Sequence, residues 1–449
     1  MQMEKNLSSP ARVRLAALFD EGSCREIGAY VTEKEAPAGV VTAFGYVSGN
    51  PVYAFAQDQS ASHGAVGPAQ AEKISKVFTL AAKTGAPVVG IYDSDGAFMD
   101  GSAASLNAYS LMMKRTAQLS GVVPQIAVVA GPCLGSAAMM ACAADFLIMS
   151  GEGELYLTPG QSEGSAKAAA ENGIAALTAA DDTAAIAAAR DLINLLPVNN
   201  MAMAPCMEYE APAAAQGSDL AGFVDSIADG GSVKELYADY AGAAYTALAT
   251  VTGTTVAIAA TNKTPDKLTQ ADCDKLSRFV RTCDAFSIPV ITLVDTLGFA
   301  GDAGTEEAGA VRALTRLAGS YAEATTPKIS VVTGNAVGPV FVALAGKGCN
   351  ADFAYALEKA SIAPLAPEAC VEFLWHDKLK GCKDLNAERK KLAKEYSETL
   401  GSALSAAQRG VIDEVLTPAD LRSTVASALS MLEGKRVTNL TKKHNKFPF

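Results

Sequence analysis

A run of apolar residues at 123–149 is interrupted by small residues of a kind that could carry chemistry. Gly131 and Gly135 frame the interruption, and Ser136 and Ala137 follow it at once. A sharp turn between a strand and a helix leaves the first amides of the helix without partners. Two such amides can stabilise an oxygen atom as it becomes negatively charged. We therefore predict an oxyanion hole at Gly135 and Ser136, with Ala137 leaving room for a ligand.

The same pattern recurs in the second half of the chain. The segment "TPKISVVTGNAVGPVFVALAG" (326–346) again breaks an apolar run, at Gly334 and Gly338. Close packing of a helix on a sheet can explain one such turn without any chemistry. Two turns at matched positions favour a functional interpretation, although packing stays open as the alternative.

The recurrence belongs to a longer internal repeat. Three pairs of segments align, two of them at offsets of 202 and 203 residues and the third more loosely. We therefore predict a tandem duplication with an N-terminal domain at 1–217 and a C-terminal domain at 218–449. The pairs are 84–98 with 286–300, 123–137 with 326–340, and 49–58 with 253–262.

The elements that must position these turns alternate along each half. Short β-branched runs bounded by Pro and Gly lack period-2 alternation, which is typical of strands covered on both faces. Their alternation with helical stretches predicts an α/β fold with largely parallel sheets. Surface helices are expected within 160–196 and an amphipathic helix at 234–246. The other predicted helices are 71–85, 107–121, 271–286 and 307–324.

Composition excludes several classes of function. The net charge of −11 argues against nucleic acid as a partner. Nine cysteines without a C-x-x-C pair favour reduced thiols in the cytoplasm. The N-terminus has no signal-peptide character, and no apolar run of about 18 residues suggests a membrane span. The three histidines have no neighbours that suggest a catalytic triad or a metal centre, so we expect no metal.

Several long motifs in order resemble one family. The chain is similar to the carboxyltransferase subunits of biotin-dependent acyl-CoA carboxylases and decarboxylases, such as the propionyl-CoA carboxylase beta subunit, transcarboxylase and the methylmalonyl-CoA decarboxylase alpha subunit. The resemblance runs almost end to end and implies two tandem crotonase-like (ClpP/crotonase) ββα superhelix domains. The motifs include "GAPVVGIYDSDGA", "GVVPQIAVVAGPC", "RFVRTCDAFSIPVITLVDTLGF" and "AAQRGVIDEVLTPADLR".

The resemblance also implies a mechanism with two oxyanion holes. One would hold the thioester carbonyl of an acyl-CoA as it becomes an enolate, and the other the ureido oxygen of carboxybiotin. Carried over by position, Gly135 and Ser136 form the first hole and Gly338 and Val340 the second, although the two ligands could be reversed. The implied substrate-binding residues are Gly96, Ala97, Gly131, Ala137, Gly298 and Phe299.

The resemblance implies partners as well. The active site would lie between the N-terminal half of one subunit and the C-terminal half of another, in a homodimer or homohexamer. The chain has no Met-Lys-Met motif, so biotin would arrive on a separate carrier protein, and a biotin carboxylase or membrane decarboxylase subunit could join the complex. The candidate cations for coenzyme A are Arg12, Arg14, Lys73 and Lys76.

Three positions depart from the family pattern. Phe98 replaces an arginine, Leu297 a proline, and Pro339 the second glycine of a Gly-Gly motif. Proline has no N–H, and a lost oxyanion donor costs about 3–4 kcal/mol. Three interpretations therefore stay open. The chain could be an active carboxyltransferase for propionyl-, methylmalonyl-, malonyl- or glutaconyl-type CoA, a weak or inactive paralogue acting as a structural subunit, or a biotin-independent crotonase-like acyl-CoA enzyme.

Overall fold

A computed structural model describes residues 8–33, 36–160, 163–212, 219–300, 309–349, 351–438 and 440–443. The chain divides into two compact units. Unit 1 contains the residues up to Pro205 together with Tyr237–Tyr240, and unit 2 contains Cys206–Leu236 and the residues from Ala241 onwards. The predicted domain boundary between 217 and 218 lies outside the described residues and stays a prediction.

Unit 1 contains ten described strands and six α-helices. The strands are β1 (Arg25–Ile27), β2 (Thr32–Glu33), β3 (Ala36–Pro37), β4 (Val40–Val47), β5 (Asn50–Gln57), β6 (Val88–Ser94), β7 (Gln125–Leu134), β8 (Phe146–Ser150), β9 (Glu154–Tyr156) and β10 (Leu177–Ala179). The helices are α1 (Pro10–Leu18), α2 (Pro68–Thr84), α3 (Ala103–Leu119), α4 (Ser136–Ala141), α5 (Ala166–Glu171) and α6 (Asp182–Leu195).

The described residues of unit 2 form eight strands and nine α-helices. The strands are β11 (Lys234–Glu235), β12 (Tyr245–Val251), β13 (Thr254–Ala260), β14 (Val290–Thr296), β15 (Lys328–Val337), β16 (Phe353–Leu357), β17 (Ser361–Ala363) and β18 (Glu414–Leu416). The helices are α7 (Leu220–Ile227), α8 (Gln270–Ala285), α9 (Ala310–Glu323), α10 (Pro339–Leu344), α11 (Pro367–Leu374), α12 (His376–Leu379), α13 (Leu385–Glu398), α14 (Ala403–Gln408) and α15 (Leu421–Leu432).

The two units repeat one sheet topology. The unit 1 sheet has the order β1-β4-β5-β6-β7-β8-β10 with β9 beside β7, and the unit 2 sheet has the order β11-β12-β13-β14-β15-β16-β18 with β17 beside β15. Only the pairings of β1 with β4, β4 with β5, β11 with β12 and β12 with β13 are antiparallel in these two sheets. The predicted α/β class and the parallel character of the sheets are confirmed.

Helices bury the faces of these sheets, which explains the near-continuous apolar runs. All seven residues of β6 are buried. On one face of the strand, Val88 and Tyr92 share a core with α2 and α3. The four helices predicted outside 160–196 and 234–246 are confirmed as α2, α3, α8 and α9. In the ranges that the structure describes, no helix is both long and apolar enough to cross a membrane.

The predicted amphipathic helix at 234–246 is wrong. Lys234 and Glu235 form β11 instead, which pairs with β12. Tyr237 and Ala241 then adopt positive φ angles of 56° and 54°, which a right-handed helix excludes. Tyr245 already begins β12. Within 160–196 the expected helices α5 and α6 are present, and the short strand β10 between them extends the sheet.

Candidate functional site

Two turns meet where β6 and β7 end in unit 1. The strands are parallel neighbours, and Ser94 pairs with Cys133. Two residues further along each strand lie Gly96 and Gly135. A Cβ atom added to Gly96 would lie 3.1 Å from the carbonyl oxygen of Leu134, which confirms the close approach of the two segments. The sheet therefore brings the predicted residues 96–97 beside residues 135–136.

The amide of Gly135 is already engaged within the protein. It donates a hydrogen bond of 2.8 Å to the Tyr156 carbonyl, which extends the pairing of β7 with β9. Gly135 has a φ angle of +57°, which glycine adopts at little cost, and α4 starts at the next residue. Gly135 therefore turns the chain, and its predicted role as an amide donor is corrected.

Two other amides at this junction remain available to a ligand. No described residue accepts a hydrogen bond from the amide of Ala97 or from that of Ser136. Both residues are half-buried. The amide of Gly96, in contrast, donates to the Ser94 hydroxyl at 3.0 Å. Ala97 and Ser136 are therefore the candidates for the pair of donors that an oxyanion requires.

Unit 2 repeats this junction at the ends of β14 and β15. Thr296 pairs with Ala336, and Gly298 and Gly338 follow two residues later. The Gly338 amide donates to the Ala363 carbonyl at 2.8 Å, and the Gly298 amide donates to the Thr296 hydroxyl at 3.2 Å. Both glycines are therefore occupied in the same way as their counterparts in unit 1.

The unit 2 junction has fewer donors than the unit 1 junction. The amide of Phe299 has no acceptor among the described residues, as for Ala97. Pro339 is the first residue of α10, at the position that Ser136 has in α4, and it has no N–H. Val340 is 0% exposed, unlike the half-buried Ser136, and its catalytic role stays a prediction. Phe299 is left as the donor of this junction.

A cavity of about 690 Å³ opens beside the unit 2 turn. Its volume falls in the range of about 300–1,000 Å³ that is typical of small-molecule sites. The lining is predominantly apolar, so it suits a ring or an alkyl group better than a charged group. The lining residues are Val311, Leu314, Thr315, Ala318, Gly338, Pro339, Phe341, Val342, Ile362, Ala363 and Pro364.

Four of the predicted substrate-binding residues are buried under the turns. Gly96, Gly131, Ala137 and Gly298 are buried, whereas Ala97 and Phe299 are half-buried. The small size of the buried residues lets the turns pack closely, and their substrate-binding roles stay predictions.

The Gly131 position tolerates no side chain. A Cβ atom there would lie 2.3 Å from Oδ1 of Asp93. We predict that Gly131→Ala lowers the free energy of unfolding by about 1–3 kcal/mol, because overpacking must displace a carboxylate that Arg14 holds. Urea denaturation measures the change. Gly434→Ala is the control, since no atom lies within 4 Å of its added Cβ, and a change of less than about 0.5 kcal/mol is expected there. Equal losses in both variants would contradict this prediction.

Three of the four cations proposed for coenzyme A have internal partners. Arg12 pairs with Glu26 at 2.9 Å, and Arg14 pairs with Asp93 and Asp182. Lys73 is 6% exposed and donates to a main-chain carbonyl, and burial lowers its pKa to about 8. These contacts indicate that the three side chains stabilise the fold of unit 1. Of the four cations, Lys76 alone stays a candidate for binding coenzyme A.

Two departures from the family pattern flank the available amides. Phe98 follows Ala97 and is half-buried, and its amide donates to the Val66 carbonyl at 2.9 Å. Leu297 precedes Gly298 and is 50% exposed. Phe98 is therefore the direct neighbour of an available amide, whereas Leu297 lies two residues before the available amide of Phe299.

The carboxylates that lie under each turn are not among the residues predicted from the sequence motifs. Asp93 in unit 1 and Asp295 in unit 2 lie at the ends of β6 and β14. The sequence did contain a signal, because both residues occupy the same position in the internal repeat. Burial raises the pKa of the Asp93 carboxyl, and the hydrogen bond from Arg14 opposes that rise.

Within the described ranges, no group of three or more His, Cys, Asp or Glu residues could hold a metal ion. His63 is a surface residue whose side chain is 77% exposed. His444 lies outside the described residues. The chemistry that the geometry supports is stabilisation of negative oxygen by main-chain amides.

Duplicated parallel sheets whose adjacent turns present main-chain donors define the class of tandem crotonase-like carboxyltransferases. The chain belongs to the carboxyl transferase domain family, which matches residues 8–447. The family suggested by the sequence motifs is thereby confirmed.

Several named relatives match this chain over almost its whole length. Methylmalonyl-CoA decarboxylase subunit alpha of Propionigenium modestum is 34% identical over 98% of this chain and 93% of its own length. The propionyl-CoA carboxylase beta chain of Cereibacter sphaeroides is 33% identical over 98% of this chain and 93% of its own length. The methylmalonyl-CoA carboxyltransferase 12S subunit of Propionibacterium freudenreichii subsp. shermanii is 34% identical, covering 98% and 91%.

Solved structures agree with this relationship. A crystal structure of transcarboxylase 12S, a hexamer with methylmalonyl-coenzyme A and methylmalonic acid bound, superposes with a TM-score of 0.92 at 34% identity, covering 98% of this chain and 92% of that one. A single-chain, multi-domain long-chain acyl-CoA carboxylase gives a TM-score of 0.83 at 23% identity, covering 93% of this chain and 45% of that one, and supports the fold alone. The predicted tandem crotonase-like fold is confirmed.

Proposed function

We propose that this chain is a carboxyltransferase that moves a carboxyl group between carboxybiotin and an acyl-CoA of the propionyl/methylmalonyl type. The observation that carries the proposal is the pair of available amides at Ala97 and Ser136. This pair occurs in a chain that is 34% identical, over nearly its whole length, to a methylmalonyl-CoA decarboxylase subunit.

Unit 1 is proposed to hold the thioester. When a carboxyl group leaves or joins the carbon next to a thioester, negative charge develops on the carbonyl oxygen. The amides of Ala97 and Ser136 would donate to that oxygen and stabilise the enolate. Each donor is worth about 3–4 kcal/mol in sites of this kind. The proposed charge stabilisation therefore comes from main-chain amides.

Unit 2 is proposed to hold biotin, which supplies or accepts the carboxyl group when it is bound. The amide of Phe299 would donate to the ureido oxygen, and the apolar cavity of about 690 Å³ beside Pro339 would accommodate the uncharged ring system. The unit 2 site therefore suits biotin in shape and polarity, but it offers fewer hydrogen-bond donors than the unit 1 site.

The proposal extends to partners and location. A carrier protein would deliver biotin, and a biotin carboxylase or a membrane decarboxylase subunit would complete the pathway of the carboxyl group. Assembly as a homodimer or homohexamer is supported by the hexameric relative of known structure. All nine cysteines are free, which supports a reducing compartment such as the cytoplasm.

A weakly active paralogue that acts as a structural subunit is the second candidate. Pro339 and the buried Val340 favour it, because they reduce the donors at one of the two turns. In that case the chain would bind acyl-CoA and a partner subunit but turn over slowly.

The proposed function predicts biotin-dependent loss of the carboxyl group from methylmalonyl-CoA. The purified chain is mixed with [14C]carboxyl-labelled methylmalonyl-CoA, with and without free biotin, and released label is counted. Release that requires biotin supports the proposal. Release without biotin would identify the biotin-independent alternative, and binding of coenzyme A in a thermal-shift titration without release would identify the structural subunit.

A further inference from the structure

A bulge in β7 determines where the unit 1 turn falls. Between Val129 and Cys133 the pairing of β7 with β6 shifts, so that β7 contains two more residues than β6 over this interval. The extra length lies in residues 130–132. A bulge bends its strand and redirects the residues that follow it. The positions of Gly135 and of the amide after it therefore depend on how the bulge is held.

One guanidinium group ties this bulge to the neighbouring strand. Nη1 of Arg14 donates to Oδ2 of Asp93 at 2.5 Å, and Nη2 donates to the carbonyl oxygen of Ala130 at 3.2 Å. The carboxylate of Asp93 occupies the space in which a side chain of residue 131 would lie, and the side chains of Arg14 and Asp93 are only 12% and 6% exposed. The third donor, Nε, binds Asp182 at 2.7 Å.

Unit 2 holds the equivalent bulge without an arginine. The pairing of β14 with β15 shifts at the same place in the repeat. The carboxylate of Asp295 accepts a hydrogen bond directly from the amide of Asn335 at 2.7 Å and from the side chain of Asn262 at 2.8 Å. A carboxylate therefore organises both bulges, but among the described residues a cation holds only the first.

The repeat itself shows that the arginine is specific to unit 1. The carbonyl oxygens of Leu18 and Ile227 correspond, because each accepts a hydrogen bond from an arginine of the last helix in its unit. Arg14 lies four residues before Leu18, and Phe223 lies four residues before Ile227. The position of the repeat that corresponds to Arg14 is therefore a buried phenylalanine in unit 2.

We propose that Arg14 is the positioning residue of the unit 1 oxyanion turn, an inference that rests on the proposed function. Arg14 contacts no reacting group. Through Asp93 and the Ala130 carbonyl it fixes the bulge, and the bulge fixes the direction of the Ser136 amide. Its loss therefore impairs the acyl-CoA half of the reaction and leaves the unit 2 turn unchanged.

The test is Arg14→Ala with chemical rescue. Misplacement of a reacting geometry by about 1 Å costs on the order of 100-fold, so kcat for methylmalonyl-CoA is expected to fall by about 30- to 100-fold while KM changes less than about threefold. Guanidinium ion at millimolar concentration refills the site and is expected to restore kcat by about tenfold. A rise in KM without a fall in kcat would overturn the inference, because it would place Arg14 on coenzyme A.

Arg190→Ala is the matched control. Arg190 is also a partly buried arginine of unit 1, which binds the Leu18 carbonyl and pairs with Asp20 at 2.8 Å, away from the bulge. The kcat of the Arg190→Ala variant is expected to stay within about threefold of the parent value and not to respond to guanidinium. An equal fall in both variants would show a general loss of structure and would overturn the inference.

Hydrogen–deuterium exchange separates this inference from the proposed function. The backbone amides of segment 130–141 are expected to exchange faster in the Arg14→Ala variant and at the parent rate in the Arg190→Ala variant. This expectation holds whether or not the parent chain is active. A parent chain without activity would count against the proposed function, and the exchange result would then decide the inference. Unchanged exchange in the Arg14→Ala variant would overturn it.

Discussion

Replacement of Ser136 by proline is expected to lower kcat for the acyl-CoA half of the reaction by about 100- to 1,000-fold. Proline removes the N–H of one of the two available amides, and loss of one oxyanion donor has an effect of that size. The remaining donor, Ala97, is unaffected. The measurement is the rate of biotin-dependent decarboxylation of methylmalonyl-CoA as a function of its concentration.

The fold should accommodate Ser136→Pro, because unit 2 already has a proline at the equivalent position. In unit 2, Pro339 begins α10 after Gly338, whose φ angle is +65°. In unit 1, Ser136 begins α4 after Gly135, whose φ angle is +57°. The first position of a helix also tolerates proline well, since its N–H has no partner in the helix. A large loss of activity in a folded variant can therefore be assigned to the amide.

Ser136→Ala is the control for the side chain. It keeps the N–H and removes only the hydroxyl group, so its kcat is expected to stay within about threefold of the parent chain. Melting temperatures of both variants check that they fold. If Ser136→Pro kept more than a third of the parent activity, the amide of residue 136 would not be an oxyanion donor.

Much of the fold could be predicted because the chain repeats itself. The strands β6, β7, β14 and β15 are long apolar runs that end in glycine turns, and both copies give the same signal. The segment 234–246 could not be predicted in this way. Its spacing of apolar residues suits a helix, but pairing with β12 and two residues of positive φ override that local preference.

The donors of the site could be predicted only in part. A three-residue strand such as β9 or β17 has almost no sequence pattern, yet these strands engage the amides of Gly135 and Gly338. The burial of Val340 likewise depends on packing around α10. Sequence alone therefore located both turns and placed Ala97 and Phe299 among the substrate-binding residues. As amide donors, however, it selected Gly135, whose N–H is engaged with Tyr156, and the buried Val340.

The role of Arg14 was beyond local sequence reasoning for a different reason. A charged residue in an N-terminal helix is most simply read as a solvated or ligand-binding cation. Its partners lie far along the chain, at Asp93, Ala130 and Asp182. Only the folded sheet brings these groups together, so the function of the charge follows from three-dimensional contacts.

Replacement of Pro339 by serine is expected to raise kcat for carboxyl transfer to free biotin by about 10- to 100-fold. The substitution gives unit 2 the donor that Ser136 provides in unit 1, and one donor is worth about 3–4 kcal/mol where it is fully used. The Phe299 amide would then have a second N–H beside it. The measurement is the rate of biotin-dependent decarboxylation across a range of biotin concentrations.

Pro367→Ser provides the matched control for this gain. Pro367 also begins a helix of unit 2, α11, so both variants lose a proline at the same helical position. Both are expected to lose about 0.4–1 kcal/mol of stability through the more flexible unfolded chain. Only Pro339→Ser should gain activity. If neither variant gained, the absent N–H would not limit the reaction at the unit 2 turn.

The same variant decides which ligand each turn holds. If unit 2 binds biotin, Pro339→Ser accelerates carboxyl transfer to biotin. Deuterium exchange into propionyl-CoA, measured without biotin, then stays unchanged. If unit 2 binds the thioester instead, the gain appears as faster solvent deuterium exchange at the carbon next to the carbonyl of propionyl-CoA, with a buffer base as the proton acceptor and no biotin present. Proline at residue 339 removes one donor without disturbing the turn. Restoring that single N–H therefore distinguishes the two halves of the reaction from each other.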